Sequence, residues 1–129
     1  MNILVSACLL GVECRYNGRG VLIPQAEELL SRHHLIPVCP EILGGLATPR
    51  IPAERVGTGV ITRDGGDVTA AYEKGAGEVL KLAQLYGCQA AILKERSPSC
   101  GSGQVYDGTF TGTLTEGDGV CAACLKEHG

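Results

Sequence analysis

Three cysteines stand just past short apolar runs: Cys8 after "NILVSA", Cys39 after "LIPV", and Cys100 in the loop "SPSCGSG" that follows "QAAILKE". A structural cysteine behaves as a small hydrophobe and belongs inside such a run. The loop beyond a strand's carboxyl end is where α/β proteins keep their working groups. Cysteines gathered at one point in a reducing compartment hold zinc or an iron–sulfur cluster. Structural zinc sites draw on knuckles of two closely spaced cysteines, and these three are single residues on separate loops. An iron–sulfur cluster is wider and accepts ligands from separated loops, and three ligands would leave one iron open. The plain alternative is three small buried residues at strand ends. Cys14, in the same loop as Cys8, is either a fourth ligand in reserve or a thiol that closes the site.

For these sulfurs to meet, the elements behind them must form one sheet. "NILVSA" (2–7) reads as a buried strand at the start of the chain. "IPQAEELLSRHH" has Pro24 in its first turn, acidic residues early and Arg32, His33 and His34 late, the charge order of a helix. "LIPVC" is a second strand. The stretch "PEILGGLATPRIPAERVGTG" carries three prolines and four glycines and reads as a long loop. "VITRDGGDV" suggests a short strand and turn. The longest helix is expected after Asp67 or Thr69, with Val79, Leu80, Leu82, Ala83 and Leu85 on one side and Gly87 as terminator. "QAAILKE" is the third strand, the glycine-rich tail is a hairpin or loop, and "VCAACLKEH" is a short final helix. Strand–helix–strand–helix–strand is the order of a parallel sheet with right-handed crossovers. The expected fold is a single α/β domain over 1–129: a small three-layer, Rossmann-like unit with a short parallel sheet. Its long Gly/Pro-rich loops lie at the carboxyl ends of the strands, so three strands deliver three cysteines to one edge.

Composition narrows the partners. The formal net charge is −3 and there are 4 Tyr, 1 Phe and 0 Trp, so neither a charge-coating mode nor base stacking on many aromatics suits nucleic acid. No apolar stretch reaches the length that spans a bilayer. "MNILVSAC" lacks the basic start and long apolar region of a signal peptide, and the expectation is a cytoplasmic protein. In that compartment the odd count of 7 Cys is not a disulfide framework. Oligomeric state is not readable from the sequence.

Five blocks in order, "SACLLGVECRYNG", "PVCPEILGGLATPR", "GDVT", "LKERSPSCG" and "YDGTF", resemble the family catalogued as domain of unknown function 523, whose characterised branch is the thiouracil desulfidases. The resemblance runs from Ser6 to about Gly119. It implies a [4Fe-4S] cluster held by three cysteines with its fourth iron free, and a small thiolated substrate such as 2-thiouracil. The substrate would lose its sulfur as hydrosulfide and become the carbonyl compound, with no net redox change. Carried over by motif, Glu41 of "PVCPE" and Ser97 of "SPSCG" are the implied proton-transfer pair. On the residues alone Glu41 is equally a loop carboxylate and Ser97 a turn former before Pro98. Arg15, Gly44, Gly45, Arg50 and Ser99 are expected in the substrate pocket, the arginines to fix an anionic or carbonyl-rich ligand. Arg96, Lys94, Tyr106 and Asp107 lie in the same loops and are weaker candidates.

The chain departs from that family's pattern twice. Asn17 stands in "CRYNG" where the family usually shows Asp, and Cys121 and Cys124 form a C-x-x-C that the family does not usually carry. That pair reads either as a redox dithiol or as apolar packing in an Ala-rich helix. Two rival functions keep the thiols. One is a cysteine-based reductase with Cys100 as nucleophile in a glycine-rich loop. The other is a small metal or iron–sulfur carrier or sensor, which would need neither Glu41 nor Ser97.

Overall fold

The computed structural model describes residues 1–129. In chain order its elements are β1 (Asn2–Ser6), a single 3-10 turn (Ala7–Leu9), α1 (Ala26–Arg32), β2 (His34–Val38), α2 (Pro40–Leu43), β3 (Ala53–Val56), β4 (Gly59–Thr62), α3 (Thr69–Leu85), β5 (Ala90–Ile92), β6 (Gln104–Tyr106), β7 (Leu114–Glu116) and α4 (Val120–Glu127). The β-branched N-terminal run becomes the middle strand of a parallel three-stranded sheet, ordered β2–β1–β5. Pro37 sits in β2, an edge strand, where its missing N–H does least harm. Leu4 pairs with Ile36 on one side and Ala91 on the other, and Ser6 stands opposite Val38. The first two strands therefore finish level, and the segments after them emerge at the same edge.

One side of the sheet packs on α3 and α4 through Leu4, Val38, Ala76, Val79 and Cys121. Ile3 and Val5, which alternate to the other side of the pleat, are also buried. The buried stripe of α3 is Tyr72, Gly75, Ala76 and Val79, a helical spacing. Leu85, expected on that side, is 76% exposed because it lies in the helix's last turn, beyond the sheet. Asp67 Oδ1 accepts the backbone N–H of Thr69 at 2.9 Å at the start of α3.

Two elements lie inside the stretch that reads as one long loop. Pro40 opens α2 at a position where a proline costs nothing, since the first N–H of a helix has no intrahelical partner. That short helix lies against α3 with almost no gap. A Cβ on Gly75 would come within 1.8 Å of the Pro40 carbonyl oxygen, and one on Gly44 within 2.0 Å of the Ala71 carbonyl oxygen. Farther along, β3 and β4 form an antiparallel hairpin, and β6 and β7 form another. No helix is long and apolar enough to cross a membrane.

Candidate functional site

A cavity of about 320 Å³ opens at the carboxyl edge of the sheet. Cys8 enters it from the turn after β1, Cys39 from the junction of β2 and α2, and Cys100 from the loop after β5. Cys14 joins them from the β1–α1 connection, packed with Ala7, Cys8 and Cys39. All are free thiols. No three His, Cys, Asp or Glu side chains are placed to hold a single metal ion.

Burial governs these sulfurs. It pushes the pKa of Cys100 up to about 12, against the Ser6 hydroxyl, which pulls down, and with Glu41, Cys39 and Cys8 adding to the rise. Burial, then the neighbouring Cys39, takes Cys14 to about 12 as well. Cys8 is raised by burial and by Cys39, with Arg15 and Lys94 opposing. As free thiols Cys8, Cys14 and Cys100 stay protonated at neutral pH, which works against Cys100 as a bare thiolate nucleophile. A metal that displaces the proton recovers the ligand form.

Glu41 lies in the first turn of α2 and faces the cavity. Arg50 Nε donates to its Oε2 at 2.9 Å, and Arg50 Nη2 bonds the same oxygen. Both side chains are nearly buried, at 9% and 13% exposure, so this ion pair is shielded from water. Arg50 also donates through Nη1 to the Ala47 carbonyl at 3.1 Å and to Thr48 Oγ1 at 3.0 Å, and through Nη2 to the Cys14 carbonyl at 3.0 Å. A guanidinium has five N–H donors, and all are committed. Arg50 borders the cavity but has nothing left for a ligand: it ties α2 to the Cys14 loop. Tyr72, buried on α3, brings its hydroxyl beside Glu41; burial first and that carboxylate second push its pKa upward.

Ser97 Oγ accepts the backbone N–H groups of Ser99 and Cys100, both at 3.1 Å, and so shapes the turn that presents Cys100. The same loop is braced from behind. The first amides of α4 bond its carbonyls, Val120 N to Pro98 O at 2.9 Å, Cys121 N to Ser99 O at 2.9 Å and Ala122 N to Ser99 O at 3.1 Å. Gly119 permits this approach, because a Cβ there would lie 2.4 Å from the Ser99 carbonyl oxygen.

A family model described as 2-thiouracil desulfurase matches residues 3–129. The chain belongs to the 2-thiouracil desulfurase family. It is 47% identical over 137 aligned positions to the uncharacterized protein YbbK of Bacillus subtilis (strain 168), covering 98% of this chain and 91% of that protein. Among solved structures it is similar to the [4Fe-4S]-dependent thiouracil desulfidase TudS (DUF523Vcz). The match has a TM-score of 0.93 at 45% identity, over 99% of this chain and 86% of that one. The family expected from the five sequence blocks is thus the family found.

Within this desulfurase-family chain the expected pocket divides. Arg15, Arg50 and Arg96 border the cavity, as do Lys94 and Tyr106. Gly44, Gly45 and Ser99 do not. Gly44 lacks a side chain because α2 presses on α3, and Gly45 adopts a φ of 96° to end α2. Ser99 is fully buried behind Cys100 with its hydroxyl unpartnered. Asp107 Oδ1 accepts from Thr109 N at 3.0 Å and belongs to a turn. Asn17 Oδ1 accepts from Arg19 N at 3.1 Å, a role that an aspartate fills equally. Tyr72, Ser6, Glu54, Arg63 and Phe110 also border the cavity. Ser6 opens the "SACLLGVECRYNG" block and Phe110 closes the "YDGTF" block, so the sequence marks both. Tyr72 reads there as helix core, and Glu54 and Arg63 lie in segments whose pairing is not visible locally.

Proposed function

We propose that this protein removes sulfur from a thiolated nucleobase such as 2-thiouracil, using a [4Fe-4S] cluster held by Cys8, Cys39 and Cys100. The observation that carries this reading is the meeting of those three cysteines with Glu41 and Ser97 around one cavity at the sheet's carboxyl edge. The donor set fits the group: three buried or half-buried thiols are of the soft type that iron–sulfur clusters take, and they come from three separate loops around a shared space. When bound, the cluster would supply a Lewis-acidic iron, free of any protein ligand, for the soft thiocarbonyl sulfur.

The protein's own part is to handle water and protons. Water adds to the thiocarbonyl carbon, the carbon–sulfur bond breaks, and the products are the carbonyl compound and hydrosulfide. Glu41 is the group to take the proton from water. Arg50 grips Oε2 and leaves Oε1 outside its clamp, so the carboxylate is held in place without losing both oxygens. Ser97 has its oxygen turned toward two backbone N–H groups, so its remaining capacity is to donate the hydroxyl hydrogen. We assign Ser97 to orient the substrate ring or the water as a donor. Arg15 and Arg96 line the cavity for a carbonyl-rich or anionic ligand.

Anaerobic reconstitution with iron and sulfide, followed by metal analysis and a sulfide-release assay on 2-thiouracil, tests the proposal. About four irons per chain with sulfide release is expected. A bound cluster without release would retain the site and reject this substrate. Failure to bind iron would end the reading.

A further inference from the structure

Only two residues other than glycine adopt left-handed backbone, Arg96 at φ 65° and Phe110 at φ 57°, and both border the cavity. For a bulky side chain that conformation is strained and persists only when its surroundings impose it. At Phe110 they do. Glu54, on β3 and only 9% exposed, points one carboxylate oxygen at the β6–β7 connection. Its Oε1 accepts the backbone N–H of Gly108 at 3.0 Å and of Phe110 at 3.1 Å. Gly108 has a φ of 94° and lies so close to β3 that a Cβ would be 2.9 Å from the Arg55 carbonyl oxygen. A buried carboxylate holding a turn in a strained form is a costly way to place one side chain. That side chain is the chain's single Phe.

The ring is also backed. The Arg63 guanidinium lies over it, 5.7 Å from the centroid, and Arg63 borders the cavity too. The cation engages one face of the ring through its π-electrons, and the ring borders the cavity. Aromatic rings and nucleobases stack without needing a hydrogen-bond code.

We propose that Phe110, carried by Glu54 and backed by Arg63, is the wall that recognises a planar heterocycle, and so restricts the cavity to ring thiocarbonyls over acyclic ones. This rests on the desulfuration reading for its chemistry, but ring recognition is measurable without any bond cleavage. Uracil, flat and sulfur-free, is the binding probe. Calorimetry on the reconstituted protein compares wild type with F110Y, F110L and F110A, and sulfide release from 2-thiouracil and from thiourea is measured alongside. Loss of one stacking contact predicts uracil binding weaker by about tenfold in F110A and F110L. F110Y, which keeps the ring, should stay within about twofold, with iron content unchanged in all three. KM for 2-thiouracil should rise in step while kcat holds, and kcat/KM for thiourea should change by less than about twofold. F110L keeps the apolar volume, so uracil binding at wild-type strength in F110L overturns the proposal. So does wild-type protein that does not bind uracil, or an equal loss on both thiocarbonyls. If wild type binds uracil through Phe110 yet releases no sulfide, 2-thiouracil is rejected as the substrate and the ring wall stands.

Discussion

Two groups of cysteines share this small domain and have opposite surroundings. Cys8, Cys14, Cys39 and Cys100 border a cavity where strands end. Cys88, Cys121 and Cys124 pack with Leu4, Val38, Ala76 and Val79 between the sheet and α3 and α4. The second group contains the only C-x-x-C in the chain, the spacing that most resembles a motif. Yet Cys121 is fully buried, and burial raises both its thiol and that of Cys124. A redox dithiol requires a stabilised, reachable thiolate, and this pair has the reverse. Its role is packing. The comparison teaches that sulfur spacing along the chain is a weaker guide than where each strand or helix ends.

Replacing a ligand should break that contrast most severely. Cys8→Ser, Cys39→Ser and Cys100→Ser are each expected to drop iron from about four per chain to near zero and to abolish sulfide release. Metal analysis after anaerobic reconstitution reads this directly, and a variant that keeps a full cluster removes its residue from the ligand set. Glu41→Gln should act on the same cavity without touching the cluster. Iron stays at the wild-type level while kcat falls by about 10²–10⁴, the range for losing a general base. Undiminished turnover would take Glu41 out of the mechanism, whereas a metal sensor would be indifferent to the change.

On the packing side, Cys121→Ser places a hydroxyl in an apolar cluster. It should cost about 1–3 kcal/mol of stability, seen as a lower thermal midpoint, with iron binding intact. Iron loss at wild-type stability would mean that the two regions are not separate after all. The smallest effect is expected at Cys14→Ser. Cys14 sits against Cys8 and Cys39, but it lies inside the β1–α1 connection rather than directly after a strand. Cluster content equal to wild type is the predicted result, and a fall would bring Cys14 into the ligand set.

Much of the site's placement is legible in the sequence because it depends on strand ends. A β-branched run followed by a cysteine marks both a buried strand and the loop beyond it, as at Cys8 and Cys39, whereas bringing these two together with Cys100 depends on the strand order β2–β1–β5. The hidden parts depend on contacts distant in sequence. Prolines and glycines disguise α2, whose Gly44 is glycine because Gly75 and Ala71 of α3 lie against it. Arg50 reads as a ligand-binding cation, yet its five donors are committed to Glu41, Cys14, Ala47 and Thr48.

By itself, the sequence determined the parallel α/β order, the cysteines at strand ends, the family blocks and the acidic, aromatic-poor character. These are local or additive properties, carried by periodicity, turn residues and composition. Only the tertiary structure decided that Arg50 clamps Glu41, that α4 braces the Cys100 loop, that Glu54 forces Phe110 to the cavity, and that Cys121 is core. Each of those depends on which of many polar and apolar groups comes within bonding distance after folding, and no window of adjacent residues contains that information.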